Sequence, residues 1–170
     1  MNGQITSRVQ ERYEVRQVGL ESLDQLMAWR KTVLEEVFGS LSHQTMQKLL
    51  AANRAYYEAA IVQEQHVACF AYEDGIPVAC GGMCIQLEMP SPDNPQGINA
   101  YLMNIYTTPA HRARGAGKAV VEWLVEQARI RNIGKIYLET TPLGRELYAT
   151  VGFVDYPDIM HLPCADPLNA

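Results

Sequence analysis

Apolar positions along this chain recur with two periods, and the switches between them mark its elements. Residues 13–18, YEVRQV, alternate and predict a short strand. Helical spacing then takes over, with Leu23, Met27, Arg30, Leu34 and Val37 on one stripe. Ser22 and Gln25 stand at capping-box spacing ahead of it, and Gly39 is a stop signal. Ser42 can cap a second helix whose inward stripe is Met46, Leu49, Leu50, Asn53 and Tyr57. Residues 67–72 are β-rich, Asp74-Gly75 signals a hairpin turn, and residues 78–87 form the returning strand. Pro77 sits at the start of that strand, where a missing N–H does least harm.

The segment MPSPDNPQG, residues 89–97, breaks the pattern with its prolines and reads as a surface loop. A strand AYLMNIYTT follows, then a basic glycine-containing loop, then a helix over about residues 115–131 with Gly134 as its stop. KIYLET is a further strand. A short helix follows Pro142, with Leu143, Leu147 and Val151 on one face and Gly152 at its end, and FVDYPDIMHL is the last strand. The element order is β-α-α-β-β-β-α-β-α-β. A central hairpin with late helix–strand alternation predicts an α/β fold: a mixed, twisted sheet with helices on both faces. Residues 1–170 are expected to form one domain, with residues 1–11 flexible.

Composition narrows the function classes. The net charge of −5 disfavours a nucleic-acid partner, which would require a basic face. No apolar run approaches the roughly 20 residues of a membrane span, and the first residues lack a signal-peptide core, so a cytoplasmic protein with no membrane association is expected. Cys69, Cys80, Cys84 and Cys164 are too few for a disulfide framework. Cys80 and Cys84, four apart in a strand, should face one side as buried small hydrophobes, and no histidine cluster accompanies them, so no metal site is expected.

The stretch TTPAHRARGAGKAVVEWLVEQARIR places glycines and basic side chains immediately before a helix. A helix N-terminus carries unpaired N–H groups and partial positive charge, so it holds phosphate well. Gly115 and Gly117 let backbone approach a ligand, while Arg112, Arg114 and Lys118 can donate charge-assisted hydrogen bonds. The P-loop pattern fails, because Arg112 stands where its first glycine belongs and Ala119 where its hydroxyl belongs. The dinucleotide fingerprint fails as well, with Val120 in place of the third glycine.

What fits is R-x-x-G-x-G, residues 112–117. With IYTTPAHRARGAGKAVVEWLVEQAR before IYLETTPLGRELYATVGF, residues 101–162 resemble the core of the GCN5-related N-acetyltransferase (GNAT) family. The resemblance implies acetyl-CoA as cosubstrate. Ile105, Tyr106 and Thr107 would lie along its pantetheine arm, and the amides of Arg112, Ala113, Arg114, Gly115, Ala116 and Gly117, with Lys118 nearby, would take its pyrophosphate. Ala113 replaces a glycine common in the family, which calls for negative φ there. Thr140 or Thr141 stands near where many members have asparagine.

In this resemblance Tyr148 is the general acid for the departing thiolate; on the residues alone it could equally pack on its helix beside Leu147. Glu88, Glu139, His111 and His161 are the groups from which a base could come, and none is singled out; an ordered water chain could also serve. Nothing next to Cys80 or Cys84 in sequence would activate either thiol, so direct attack by a primary amine in a ternary complex is preferred over a covalent relay. The amine-bearing acceptor is expected between the first two helices (around residues 38–43), the loop after Met89 and Glu139. A non-catalytic acyl-CoA sensor of the same fold is the alternative, and exposed strand edges make a homodimer an option.

Overall fold

The computed structural model describes residues 12–156 and 159–162. Five strands form one sheet in chain order: β1 (Glu14–Val18), β2 (His66–Glu73), β3 (Ile76–Leu87), β4 (Ile98–Thr107) and β5 (Lys135–Leu138). The first three pairings are antiparallel, and β4 with β5 is parallel. The helices are α1 (Leu23–Phe38), α2 (His43–Val62), α3 (Ala116–Ile130) and α4 (Arg145–Val151).

Both faces of the sheet are covered, as the helical stripes predict. On one face α3 buries Ala116, Ala119, Val120, Val121, Leu124, Val125 and Ala128 against Val67, Cys69, Ala71, Ala79, Met83 and Leu102. On the other, Leu26 and Met27 of α1 and Tyr57 of α2 pack on Val18, Ala68, Phe70 and Cys80. α4 closes one end, its Leu147, Tyr148 and Val151 resting on the α3 side. The β2–β3 turn is the one Asp74-Gly75 signals: both residues take left-handed φ, 51° and 78°.

Several local expectations are corrected. Ser22 caps nothing, because a 3-10 turn over Leu20–Ser22 leads into α1 and Ser22 has φ −105°, ψ 13° instead of the extended backbone a cap requires. Ser42 does cap α2, accepting from the Thr45 amide at 3.1 Å. Helix α3 ends at a left-handed Asn132 (φ 56°) and not at Gly134: the Ile133 amide returns to the Ala128 carbonyl at 2.9 Å. Leu143 lies outside the apolar face assigned to it and is 96% exposed.

The last strand is not formed by the described residues of its segment, 153–156 and 159–162. Phe153 packs on the core, but Val154, Asp155 and Tyr156 are all exposed, so the alternation is lost at once. Asp155 pairs with Arg145 on α4, and Pro157 brings no N–H to a ladder. The expectations for residues 1–11 and for Cys164 fall outside the described residues.

Candidate active site

β4 runs into the predicted anion loop, and the loop is built from tight turns. Thr108 anchors it, amide and hydroxyl both donating to the Val78 carbonyl, at 2.9 and 3.2 Å. A 3-10 turn at Pro109–His111 follows, then Ala113 and Gly115 with φ of 57° and 94°. The negative φ expected of Ala113 is therefore wrong: the chain enters α3 through alternate left-handed residues, one of them not glycine. Among the described residues, the amides of 113–118 make no backbone hydrogen bond, as expected of a helix start with no capping side chain. Gly117 is closely packed: a Cβ there would lie a tight 3.2 Å from Thr107 Oγ1 and in ordinary contact with Leu147 Cδ2 at 3.4 Å.

The basic side chains divide. Arg112 is engaged within the protein: it donates to both Glu36 oxygens at 2.6 and 2.8 Å and to the Thr107 carbonyl at 3.1 Å, and it lies over the Tyr106 ring. It ties α1 to the loop, and its amide donates to the Pro109 carbonyl at 3.4 Å, so the run of free amides begins at Ala113 and the phosphate role expected of Arg112 is not supported. Lys118 lies 3.7 Å from Glu122 one turn on, a contact loose enough to exchange. Arg114 is exposed.

Next to this loop the sheet opens. β4 and β5 pair only as far as Leu102 with Leu138, so along residues 103–107 one edge of β4 has no strand partner among the described residues. The other edge pairs with β3 through an irregularity: Gly82 faces Met103 whereas Cys80 faces Tyr106, one residue more on β4 than on β3. Asn104 is the bulged residue, with φ 58°, a conformation asparagine tolerates better than most. Ile105 then packs toward α3, and Tyr106 toward Trp29 of α1, ring centroids 5.7 Å apart.

Polar groups converge on the bulge from the α1–α2 side. Arg30 donates through Nε to Asn53 Oδ1 at 2.9 Å and through Nη1 to Asn104 Oδ1 at 3.2 Å. Asn104 Nδ2 donates to Tyr57 Oη at 3.5 Å, and the Cys80 thiol to the Asn104 carbonyl at 3.4 Å. Farther along, Tyr56 Oη lies 3.1 Å from His66 Nδ1 and 2.9 Å from Cys84 Sγ, which touches Met103 Sδ at 3.1 Å. His66 is buried with Nε2 unpartnered, in space left by the absent Cβ of Gly82. Burial, reinforced by the Arg30 charge, lowers its pKa to about 4, so the ring is neutral. Burial lifts Cys80 to about 12 and raises Cys84. Neither thiol supplies thiolate at neutral pH.

Tyr148 lies on α4, packed on the core with its ring edge-on to Phe153. Burial raises its pKa, with the neighbouring Tyr101 adding to the effect, so the phenol keeps its proton. Two groups named as sources of a base are engaged elsewhere. Glu88 accepts from Asn94 and Asn99 at 2.7 Å and from Lys135 at 2.9 Å, which holds it near pKa 2. It is the anchor of the proline-rich loop. His111 sits between Thr108 Oγ1 at 2.8 Å and Glu73 at 3.2 Å. Glu139 and His161 are exposed.

The acetyltransferase (GNAT) family model matches residues 24–153, a span that includes the bulged strand, its free edge and the tight helix start. The chain belongs to this family. The curated "GCN5-related N-acetyltransferase 1, chloroplastic" of Arabidopsis thaliana is 35% identical over 60 residues, a match that spans 35% of this chain and 30% of that relative's length. A "predicted acetyltransferase" of Clostridium acetobutylicum, solved with acetyl-CoA, superposes with a TM-score of 0.77 at 26% identity, over 89% of this chain and 96% of that one. The GCN5-related N-acetyltransferase of Ralstonia eutropha JMP134 shares the fold with a TM-score of 0.78 at 24% identity, over 91% and 99% of the two chains.

Within this GNAT chain the structure brings Ile105, Tyr106, Thr107 and residues 112–118 into one continuous edge and loop. From the sequence a backbone N–H near Asn104 to Tyr106 is expected to polarise the carbonyl, whereas Arg30, Asn53, Tyr56 and His66 are not singled out as site residues. A signal for two of them was present: Arg30 and Asn53 interrupt the inward, otherwise apolar stripes of the first two helices.

Proposed function

We propose that this GNAT protein is an acetyl-CoA-dependent N-acetyltransferase, moving an acetyl group to a primary amine by direct attack in a ternary complex. The observation that carries this reading is the run of free amides at residues 113–118 continuous with the unpaired edge of β4 at residues 103–107. An extended pantetheine arm can add to that edge as a strand does, through Ile105, Tyr106 and Thr107. Its pyrophosphate would meet the amides of Ala113, Arg114, Gly115, Ala116 and Gly117, with the Arg114 and Lys118 side chains as cations nearby. These residues fit the cosubstrate, because the cradle is main chain at a helix N-terminus and the strand edge has no competing partner.

The chemistry asks little more of the protein. A backbone amide at the Asn104 bulge, freed from the ladder, polarises the acyl carbonyl. The neutral amine attacks, the new C–N bond forms and the C–S bond breaks; Tyr148 gives its phenolic proton to the leaving sulfur, whose thiol reference pKa is about 8.5, and the proton the amine sheds passes through water to restore the phenol. The high pKa values of Cys80 and Cys84 favour this route over acyl transfer to a cysteine. The free thiols of Cys69, Cys80 and Cys84 suit a reducing, cytoplasmic setting, and residues 1–170 read as one acyltransferase domain.

The test is thiol release from acetyl-CoA across a panel of amines. Tyr148→Phe should lower kcat by about 100-fold or more while leaving CoA affinity nearly unchanged. Gly117→Glu should abolish CoA binding, since it crowds a closely packed turn beside Thr107 and Leu147 and sets a carboxylate against the anion. Release with no amine, while acetyl-CoA still binds, would replace the enzyme with a sensor.

A further inference from the structure

Arg30 is the charged group at the bulge, and the proposed transfer reaction does not use its chemistry. It sits half-buried on the inward stripe of α1, where an arginine is costly to desolvate unless its charge is answered. Several other arginines are answered by carboxylates: Arg12 meets Glu73, Arg54 meets Asp24, Arg112 meets Glu36 and Arg145 meets Asp155, while Arg131 bonds Gln127 at the end of its helix and Arg114 is exposed to water. Arg30 meets no carboxylate among the described residues. Its two hydrogen bonds go to amide oxygens, those of Asn53 and Asn104, which orient the guanidinium without neutralising it.

The groups near it are also uncharged at neutral pH. Tyr57 is pushed up to about 12 by burial, His66 is neutral, and Cys80 and Cys84 are thiols. In each of the four, the Arg30 charge is among the causes acting on the proton equilibrium, so its field reaches across the whole cluster. A guanidinium carries five donors, and two are occupied here. The remaining donors form the planar fork that matches a carboxylate with two parallel hydrogen bonds.

We propose that Arg30, held by Asn53 and Asn104, binds a carboxylate on the acceptor, and that the acceptor class is therefore amines with a carboxylate close to the nitrogen, α-amino acids foremost. This rests on the acetyltransferase reading, because the bulge at Asn104 places the acyl carbonyl. Arg30 bonds the side chain of that same residue, so a carboxylate on the fork lies within a short side chain's length of the reacting amine. An acceptor of this kind supplies the missing counter-charge on binding, and the preformed guanidinium needs no rearrangement to receive it.

The experiment compares three forms of one scaffold as acceptors with acetyl-CoA: L-phenylalanine, L-phenylalaninamide and phenethylamine, with leucine and methionine sets beside them. In the wild-type protein the free amino acid should have the higher kcat/KM by about 10–100-fold, the range of a charge-assisted hydrogen-bond pair. In Arg30→Gln that preference should fall to within about threefold, and Arg30→Lys, keeping the charge without the fork, should retain part of it. Acetyl-CoA affinity, measured by calorimetry in each variant, should stay within a few-fold of wild type. If Arg30→Gln does not fold, the wild-type comparison and Arg30→Lys still decide.

Equal rates for acid, amide and amine would overturn the Arg30 assignment and leave the acetyltransferase standing. If no amine turns over, the enzyme reading fails on its own. Calorimetric titration of the same amino acids and amides into the acetyl-CoA-loaded protein then judges Arg30: selective binding of the acids, lost in Arg30→Gln, supports it, and its absence rejects it. A preference for succinyl-CoA over acetyl-CoA that disappears in Arg30→Gln would put the carboxylate on the acyl chain and overturn the proposal.

Discussion

Toward α3 the sheet presents Val67, Cys69, Ala71, Ala79, Met83 and Leu102, and the helix meets them with Val120, Val121, Leu124 and Ala128. Toward α1 and α2 the same strands present Phe70, Cys80, Cys84 and His66, and the helices meet them with Met27 and Tyr57 but also with Arg30, Asn53 and Tyr56. The α3 side is closed almost wholly by apolar groups, with Tyr13 Oη as its one buried unpaired polar atom among the described residues. The α1–α2 side is partly open and carries several polar groups that do not all find partners: His66 Nε2 has none, and Arg30 has no counter-ion among the described residues. A folding chain has no reason to retain unanswered polarity beside a bulged strand when the opposite face shows it can build a dry core. The difference fits the proposed division, in which the α3 face serves stability and cofactor placement and the α1–α2 face receives the acceptor.

The comparison can be broken first on the dry side. Leu124 is fully buried and reaches toward the place where a Gly81 side chain would be. Leu124→Ala should cost about 2–5 kcal/mol of unfolding free energy, read by urea denaturation, with CoA affinity of the folded fraction little changed. A loss under about 1 kcal/mol would mean that this face can collapse around a void, and the claim of a close-packed scaffold would fail.

On the wet side the effect should depend on pH. The folded-state pKa of His66 is about 4 against an ordinary 6.5. Between these values the unfolded chain holds the extra proton, so this contribution to stability is present above pH 6.5 and is lost as pH falls toward 4. The loss is on the order of 3 kcal/mol. Unfolding free energies of wild type and His66→Gln, measured from pH 7.5 to 4, should therefore converge by that amount as acid is added. Parallel curves would show that His66 is not held neutral by the fold. Glu88 acts the same way at lower pH: its carboxylate, held near pKa 2, stabilises the protein above about 4.5 and ceases to do so as pH falls through 2.

Much of this architecture was legible from hydrophobic period alone, and the reason is visible in what was not. The stripes of α1, α2 and α3, the Asp74-Gly75 turn and the loop-to-helix junction are local, set by residues a few positions apart. The Asn104 bulge is not local: it exists because β3 and β4 accommodate one extra residue across the Cys80–Gly82 step, and the pattern NIY carries no mark of it. Arg30 was read as one more position on a helical stripe, although a charged residue there already departs from the rule that such stripes are apolar. Among the described residues the final strand failed for the converse reason: FVDY alternates in sequence, but Val154, Asp155 and Tyr156 are all exposed and Asp155 is taken up by Arg145, so local alternation alone did not make a ladder.

The smallest effect tests the cofactor loop, where the scaffold face passes into chemistry. Ala113 occupies left-handed backbone at φ 57°, in a turn whose other left-handed position is glycine. An L-residue with a Cβ is disfavoured there by about 1–2 kcal/mol, and replacing it with glycine relieves that strain while giving back some of the gain through a more flexible unfolded chain. The net for Ala113→Gly should be a stabilisation of about 0.5–1 kcal/mol, a rise of roughly 1–4 °C in Tm. CoA affinity should change in the opposite sense or not at all, since alanine restricts the loop to the turn that exposes the amides of residues 113–118 and glycine loosens it. A variant that melts lower and also binds CoA less tightly would mean that Ala113 is not strained, and that the turn is held by the methyl group and not in spite of it.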